Sequence, residues 1–249
     1  MIEFFRNILR LLWKIWFYIL FTGLVFLFAP ILLIVTLRES WYSFFFKILK
    51  IWAKSILFCT GFYVKKAFEQ KTEKGKSYMF IANHTSILDV LLMLSIIKNP
   101  FVFVGKQELA KVPIFGFFYK RTCILVDRSN LKSKQMVYKA AQKKISAGFS
   151  ICIFPEGMVT DDMSIVLSDF KNGAFRLAIE HNMPIVPLVF YDCKKRFPYI
   201  FFRGMPGLLR VKINSFISTS DLCLSDVSML NNQCFELILS DLRSLEETI

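Results

Sequence analysis

A histidine and an aspartate five residues apart stand out in a chain whose sequence has only two histidines. His84 and Asp89 lie in the stretch ANHTSILDV, which continues the apolar run YMFI. A neutral imidazole that is oriented by a carboxylate is a competent general base near neutral pH. The pair therefore predicts removal of a proton from a substrate group.

The spacing of this pair restricts its geometry. Residues five apart on an ideal helix lie about 140° apart around the axis, so both side chains cannot share one helical face. His84 must then precede a helix capped by Thr85 or Ser86, while Asp89 lies in the first turn and reaches back. The alternative is purely structural, with Asp89 favouring the helix N-terminus and His84 as a loop residue.

Two further polar clusters follow apolar runs later in the chain. Glu156 and Gly157 come directly after SICIFP, and Arg128 follows CILVD. Ligands of open α/β sheets bind in the crevice at the carboxyl ends of the strands. An arginine there suits a phosphate or carboxylate, because its planar fork donates two parallel hydrogen bonds. Taken singly, the Glu156-Gly157 cluster is better explained by an ordinary turn, and an exposed arginine at the end of a strand is common.

A sheet is needed to bring these groups together, and the sequence after Lys65 predicts one. Apolar runs of strand length alternate with helix-length segments, which indicates a layered α/β domain. Most runs are apolar throughout, as in parallel strands buried on both faces. The predicted strands are 78–83, 101–105, 122–127, 150–155, 184–190 and 209–217. The predicted helices are 86–97, 107–120, 131–147, 170–181 and 226–245.

The first 60 residues have a different character. The run from Ile15 to Leu37 carries no charge, and about 20 apolar residues suffice to cross a bilayer core of roughly 30 Å. A second aromatic segment follows, in which lysines 47, 50 and 54 share one helical face, as in a helix at a membrane interface. One spanning helix, or a helical hairpin in a single leaflet bent near Pro30, both account for this pattern.

We therefore predict an α/β fold with a mostly parallel central sheet flanked by helices, preceded by a membrane-associated helical segment. The predicted division is 1–60 for the membrane helices and 61–249 for the α/β domain. The net charge of +13 is better explained by anionic lipid headgroups than by nucleic acid, because the lysines are scattered rather than gathered in a basic groove. The same charge places the α/β domain on the cytoplasmic face of the membrane.

The order of the polar clusters resembles a known family, the glycerolipid acyltransferases of the 1-acylglycerol-3-phosphate acyltransferase type. HTSILD at 84–89 resembles the H-x-x-x-x-D motif of that family. ILVDRS, FPEG at 154–157 and IVPLVF at 185–190 resemble its next three blocks, in the same order. FVFVGKQELAKVPIFG resembles the segment between the first two blocks. The resemblance covers about residues 78–190.

The resemblance implies a membrane-bound O-acyltransferase without a cofactor or metal. His84 would deprotonate the hydroxyl of a lysolipid, most simply 1-acylglycerol-3-phosphate, and Asp89 would orient the imidazole and stabilise the imidazolium. The alkoxide would attack a thioester donor directly, either acyl-CoA or an acyl group on acyl carrier protein. The expected partners are therefore these substrates and membrane lipids, with no nucleic acid.

The same resemblance assigns the binding residues position by position. Arg128 would bind the acceptor phosphate, Glu156 and Gly157 would shape the acceptor site, and Lys106 would lie near the reacting carbonyl. One departure matters. The family commonly has Thr-Arg after its Glu-Gly pair, whereas this chain has Met158-Val159. Lys171 resembles a family lysine that could compensate for the missing arginine.

Other functions stay open because of this departure. A relative that acylates another lysolipid, such as a lyso-aminolipid, retains the same chemistry. A metal-dependent phosphoesterase would instead use His84, Asp89 and Glu156 as metal ligands, with Asp161 and Asp162 as further carboxylates. A catalytically inactive membrane adaptor would keep only the fold. The six cysteines show no spacing that favours a metal site.

Overall fold

The computed structural model of the protein describes residues 1–112, 115–127, 131–160 and 162–246. Seven strands in this part of the chain form one sheet: β1 (Phe62–Phe68), β2 (Met79–Ala82), β3 (Phe101–Lys106), β4 (Ile124–Val126), β5 (Ser150–Ile153), β6 (Ile185–Phe190) and β7 (Gly207–Ile213). The helices are α1 (Ile2–Val35), α2 (Tyr42–Cys59), α3 (Ile87–Ile96), α4 (Phe115–Thr122), α5 (Leu131–Ser146), α6 (Gly173–Glu180), α7 (Cys193–Arg196) and α8 (Val227–Glu246).

The strand order is β1-β7-β6-β2-β5-β3-β4. Five neighbouring strands, from β6 to β4, run parallel, whereas β7 is antiparallel to β6 and parallel to β1. The predicted mostly parallel α/β fold is thus confirmed. Because β2 lies between β5 and β6, the loops after β2 and β5 leave the same edge of the sheet side by side. This edge is where ligands of open α/β sheets bind.

Both faces of the sheet are covered. All four residues of β2 and all six of β6 are buried, which explains why these strands have continuous apolar sequences. Helices α5, α6 and α8 pack on one face, and α2 with α3 on the other. Burial of each large apolar side chain contributes roughly 1.5–3 kcal/mol. The central strands are therefore a rigid support for the loops that they carry.

Several predicted elements differ from the observed ones. The segment 62–68, for which no strand was predicted, is an edge strand that pairs with β7. The predicted helix at 107–120 is a 3-10 turn at Gln107–Lys111 followed by α4. The predicted strand at 209–217 begins at Gly207 and ends at Ile213. Edge pairing depends on a partner more than 140 residues away, which local sequence patterns do not contain.

The N-terminal helices form a hairpin that packs on the α/β domain. Helix α1 continues through Pro30 to Val35, so the turn follows Pro30 by several residues. Phe17 is fully buried, with its ring centroid 4.2 Å from that of Phe197. The Lys14 Nζ donates a hydrogen bond to the carbonyl oxygen of Pro198 at 2.7 Å. One face of α1 is thus part of the protein core.

The other face of α1 is apolar and exposed. Helix α1 is the one described helix that is long and apolar enough to cross a membrane. Its length follows from a rise of about 1.5 Å per residue. Its large exposed residues include Phe4, Phe5, Leu9, Leu12, Trp16, Ile19, Phe26, Leu27, Leu33 and Ile34. A monomeric soluble protein rarely exposes so large an apolar surface.

Candidate active site

Helix α3 begins with a complete capping box, as the sequence predicts. Ser86 is the N-cap, and its hydroxyl accepts a hydrogen bond from the N–H of Leu88 at 3.3 Å. In return, Asp89 Oδ2 accepts hydrogen bonds from the N–H groups of Thr85 and Ser86, at 2.5 and 2.8 Å. The Asp89 side chain is completely buried. The carboxylate is therefore held rigidly in the first turn of α3.

The same carboxylate reaches back to the histidine. His84 Nδ1 lies 2.9 Å from Asp89 Oδ2, and the His84 side chain is about one-fifth exposed. An ionised carboxylate only accepts hydrogen bonds, so Nδ1 carries the proton of the neutral ring and Nε2 carries the lone pair. The predicted contact between the two residues is confirmed. The arrangement leaves Nε2 free to accept a proton.

An aromatic ring from the neighbouring strand fixes the plane of the imidazole. The rings of Phe154 and His84 stack with centroids 4.1 Å apart and an interplanar angle of 15°. Phe154 stacks in turn near Phe103, at 6.1 Å. Phe154 was not among the site residues predicted from the sequence. Its position two residues before Glu156 was the available signal, since alternate residues of an extended segment face the same side.

Glu156 is a structural partner of the histidine loop. Its Oε1 accepts a hydrogen bond from the backbone N–H of His84 at 2.5 Å, and its Oε2 accepts one from the N–H of Ser168 at 2.9 Å. The residue is only 3% exposed. Burial raises the pKa of Glu156, and the hydrogen bonds from Ser168 and His84 lower it in part. Glu156 therefore ties the loop after β2 to the loop after β5.

The backbone at Gly157 makes the turn that brings this carboxylate into place. Gly157 has φ of 79°, in the left-handed region that favours glycine. Its N–H donates a hydrogen bond to the carbonyl oxygen of Phe154 at 3.0 Å. The chain therefore turns sharply at this residue, as the conformational freedom of glycine permits.

Two further predicted site residues, Lys106 and Lys171, lie at the same edge of the sheet. Lys106 is the last residue of β3, and Lys171 donates its backbone N–H to the carbonyl oxygen of Pro155 at 2.9 Å. Both lysine side chains are exposed, and neither forms an ion pair with a described residue. Arg128 follows β4 and lies outside the described residues. Its predicted role stays a prediction.

A buried thiol lies beside the histidine-aspartate pair. Cys193 is completely buried at the start of α7. Burial raises the pKa of its thiol well above the usual range, and the nearby Asp89 carboxylate raises it further. The thiol therefore stays protonated at neutral pH. Spacing along the chain gave no signal for this neighbour, which is more than 100 residues from Asp89.

A metal-dependent phosphoesterase, the alternative function, would need several metal ligands close together. Within the described ranges, no three His, Cys, Asp or Glu residues come together as a metal site would require. Asp161 lies outside these ranges. Both oxygens of Glu156 accept backbone hydrogen bonds, so this carboxylate is committed to the fold. His181, the second histidine, follows α6 and takes no part in the site.

Comparisons with known proteins agree with this geometry. A family model described as Acyltransferase matches residues 64–191, just over half of the chain. A putative 1-acyl-sn-glycerol-3-phosphate acyltransferase of Caenorhabditis elegans is 30% identical over 221 residues, which are 83% of this chain and 74% of that protein. The 1-acyl-sn-glycerol-3-phosphate acyltransferase of Escherichia coli is 35% identical over 48% of this chain and 50% of its own length.

A solved structure shares the whole fold. The 1-acyl-sn-glycerophosphate (LPA) acyltransferase PlsC from Thermotoga maritima superposes with a TM-score of 0.78 over 98% of both chains, at 20% identity. The match therefore includes the N-terminal helices as well as the sheet. Taken with the histidine-aspartate pair, the family model and the relatives show that this chain belongs to the acyltransferase family of the 1-acyl-sn-glycerol-3-phosphate acyltransferase type, and is an O-acyltransferase.

Proposed function

We propose that this protein transfers a fatty acyl group from a thioester donor to the free hydroxyl of 1-acylglycerol-3-phosphate, which gives phosphatidic acid. The observation that carries the proposal is the contact between His84 and Asp89, at 2.9 Å, on the loop that leaves the central strand. The pair presents one unprotonated ring nitrogen at the edge of the sheet. Acyl transfer to a hydroxyl requires such a base.

The proposed reaction is a direct transfer. His84 Nε2 takes the proton of the acceptor hydroxyl while its oxygen attacks the thioester carbonyl carbon. The carbon–oxygen bond forms, the carbon–sulfur bond breaks, and the imidazolium returns its proton to the thiolate. Asp89 stabilises the positive imidazolium, since it holds Nδ1–H throughout. Neither the acyl chain nor the donor becomes covalently bound to the protein.

The donor in this proposal is acyl-CoA or an acyl group on acyl carrier protein. Both are thioesters of phosphopantetheine, so the same base serves either. We further propose that Lys106 lies near the reacting carbonyl, and that Arg128 and Lys171 hold the acceptor phosphate. The exposed position of both lysines at the edge of the sheet supports these roles, because a substrate could reach them.

A second lysolipid acceptor is supported by one specific observation. Met158 is exposed and Val159 is half-buried, at the positions where the family commonly has Thr-Arg. An apolar pair offers no charge to a phosphate monoester. This change would weaken the binding of an acceptor with another headgroup, such as a lyso-aminolipid, less than that of lysophosphatidate. The reaction mechanism would be the same.

The apolar outer face of α1 supports membrane association. We propose that the hairpin of α1 and α2 lies in one leaflet, with the α/β domain on the cytoplasmic side. Trp13 and Trp16 of α1 donate hydrogen bonds to the carbonyl oxygens of Thr60 and Cys59. Because α1 packs along the domain, its exposed face points away from the sheet. A lysolipid would then reach the site without leaving the bilayer.

The test is an acyl-transfer assay with a labelled thioester and a panel of lysolipids in the presence of EDTA. Wild-type protein is compared with His84→Ala, and His181→Ala is the matched control because it removes the other histidine. We expect transfer to lysophosphatidate that is lost in His84→Ala and kept in His181→Ala. If only another lysolipid is acylated, the mechanism stands and that lysolipid becomes the assigned acceptor. Activity that EDTA abolishes, or equal activity in both variants, would overturn the mechanism.

A further inference from the structure

A cleft opens beside the loop that carries His84, on the opposite side of this loop from Lys106. Its volume is about 750 Å³, and it lies at the carboxyl ends of β2 and β6. Asn83, Thr85 and Phe190 line its inner end. The first turns of α1 form one wall, and the connection between β6 and β7 forms the other. Neither His84 nor Glu156 lines this cleft, although Thr85 is the residue next to His84.

The charges that line the cleft are strongly unbalanced. Six of its side chains are cationic and two are acidic: Arg6, Arg10, Lys194, Lys195, Arg203 and Arg210 against Glu3 and Asp192. Both acids are already paired. Arg210 binds Asp192 through two nitrogens, at 2.6 and 2.9 Å, and Arg6 lies 3.1 Å from Glu3. Of the remaining cations, Arg10, Lys195 and Arg203 meet no carboxylate in the described lining.

Three of these cations are available to a ligand. Arg10 donates a hydrogen bond to the carbonyl oxygen of Phe202 at 3.2 Å, and a neutral carbonyl leaves its charge uncompensated. The side chains of Lys195 and Arg203 make no hydrogen bond or ion pair with the residues that the structure describes. Like charges gathered around one cleft repel one another, and an anion between them removes this cost.

A buried hydroxyl marks the inner end of the cleft. Thr85 is 7% exposed, and its Oγ1 has no hydrogen-bond partner within the described residues. An unpaired buried hydroxyl is rare, because it loses its hydrogen bonds to water without replacement. Asn83 beside it is fully used, since its amide exchanges two hydrogen bonds with the backbone of Phe190. Thr85 thus contributes a hydroxyl without a described partner to the lining of a cationic cleft.

We propose that this cleft binds a phosphate group carried by a substrate, with Thr85 at its inner end and Arg10, Lys195 and Arg203 along its walls. This inference rests on the proposed function. Phosphate has two sources in that reaction: the headgroup of the lysolipid acceptor and the phosphopantetheine end of the thioester donor. In the first case the cleft supplies the charge that Val159 does not. In the second it places the donor on one side of His84 and the acceptor on the other.

The test measures binding directly, so that it does not depend on turnover. Titration calorimetry of the full chain in detergent uses two probes, lysophosphatidate and free coenzyme A. The variants are Lys195→Ala/Arg203→Ala and Thr85→Val. The control is Lys71→Ala/Lys74→Ala, which removes two exposed lysines before β2, at the opposite edge of the sheet. Loss of two charge-assisted hydrogen bonds weakens a phosphate ligand by about tenfold or more.

We expect the double cleft variant to raise the Kd of one probe by about tenfold and to leave the other unchanged, while the control matches wild type. The affected probe identifies the source of the phosphate. Thr85→Val gives a second signature, because it removes an unpaired buried hydroxyl. It should weaken the same probe without lowering the Tm of the ligand-free protein. A threonine with a structural role would lower the Tm instead.

Two results would overturn the inference. The first is unchanged affinity for both probes in a double variant whose Tm and circular dichroism match wild type. The second is a loss confined to vesicle association, measured by cosedimentation with phosphatidylglycerol against phosphatidylcholine vesicles, which would make the cleft a contact for bulk lipid. If the protein bound a probe in the cleft but transferred no acyl group, the proposed function would fail and the binding site would stand.

Discussion

The hydroxyl of Ser86 donates a hydrogen bond to the carbonyl oxygen of Phe197 at 2.7 Å, across 111 residues of chain. The same hydroxyl caps α3, and the Phe197 ring packs on Phe17 and Trp13 of α1. One serine therefore joins the start of α3 to the residue on which the N-terminal hairpin packs. The position of Asp89 depends on that junction.

Ser86→Ala should lower both stability and turnover. The change removes the helix cap and leaves the Phe197 carbonyl without its donor, at a cost of about 1–3 kcal/mol. Asp89 then loses the rigid turn that orients it. Ser95→Ala is the control, because Ser95 is buried in the same helix and bonds only to a carbonyl one turn away. Tm and kcat are measured for both variants. Equal effects of Ser86→Ala and Ser95→Ala would contradict a role for the hydrogen bond between Ser86 and Phe197.

Asp89→Asn should reduce kcat by about 10²–10⁴ while the fold is kept. All three hydrogen bonds of this carboxylate go to Oδ2, so an amide oxygen in its place can keep them but carries no negative charge to stabilise the imidazolium. Asp221→Asn, on the exposed surface, removes the same charge without this effect. Pre-steady-state acyl transfer gives the rate of the chemical step. A loss of less than about tenfold would show that Asp89 serves the helix alone.

Glu156→Gln should change how stability depends on pH. The pKa of Glu156 is raised in the folded protein, so the folded state holds this proton more tightly than the unfolded chain. Stability from this group is complete below the unfolded pKa and decreases as pH rises through the folded pKa. The advantage in Tm of wild type over the glutamine variant should therefore shrink as pH rises above about 4.5. Thermal unfolding is measured at several pH values. A difference in Tm between wild type and Glu156→Gln that stays constant with pH would contradict this prediction.

Lys171→Ala tests whether this lysine compensates for the arginine that the chain lacks. If Lys171 holds the acceptor phosphate, its loss raises the KM for lysophosphatidate by about three- to tenfold and leaves kcat nearly unchanged. An acceptor without a phosphate monoester should not respond. Lys74→Ala is the control, since Lys74 is exposed at the other edge of the sheet. An unchanged KM would remove Lys171 from the acceptor site.

The two faces of α1 should respond differently to substitution. Phe17→Ala opens a cavity against Phe197 and should cost roughly 3–5 kcal/mol of stability. Phe26→Ala removes a ring that is 55% exposed, so it should leave the Tm in detergent unchanged and weaken association with lipid vesicles. Tm and vesicle cosedimentation separate these effects. Equal vesicle binding by Phe26→Ala and wild type would show that the exposed face of α1 does not contact lipid.

Much of the site was predictable because its constraints are local. The five-residue spacing of His84 and Asp89 permits contact only if one precedes the helix, and the serine between them is a strong N-cap. Continuous apolar runs predicted the buried strands, since a strand covered on both faces has no polar side. The order of four motifs predicted the family. These signals all lie within short stretches of chain.

Local patterns of residues were enough to predict the histidine-aspartate pair, the parallel sheet and the apolar N-terminal segment. Their surroundings depend on contacts between distant parts of the chain. Glu156 binds the backbone of a residue 72 positions away, Phe154 stacks on His84, and β1 joins β7 at the edge of the sheet. The cationic cleft combines α1 with a loop about 190 residues later. Such contacts arise when strands pair and pack, and no local pattern of residues encodes which distant segments will meet.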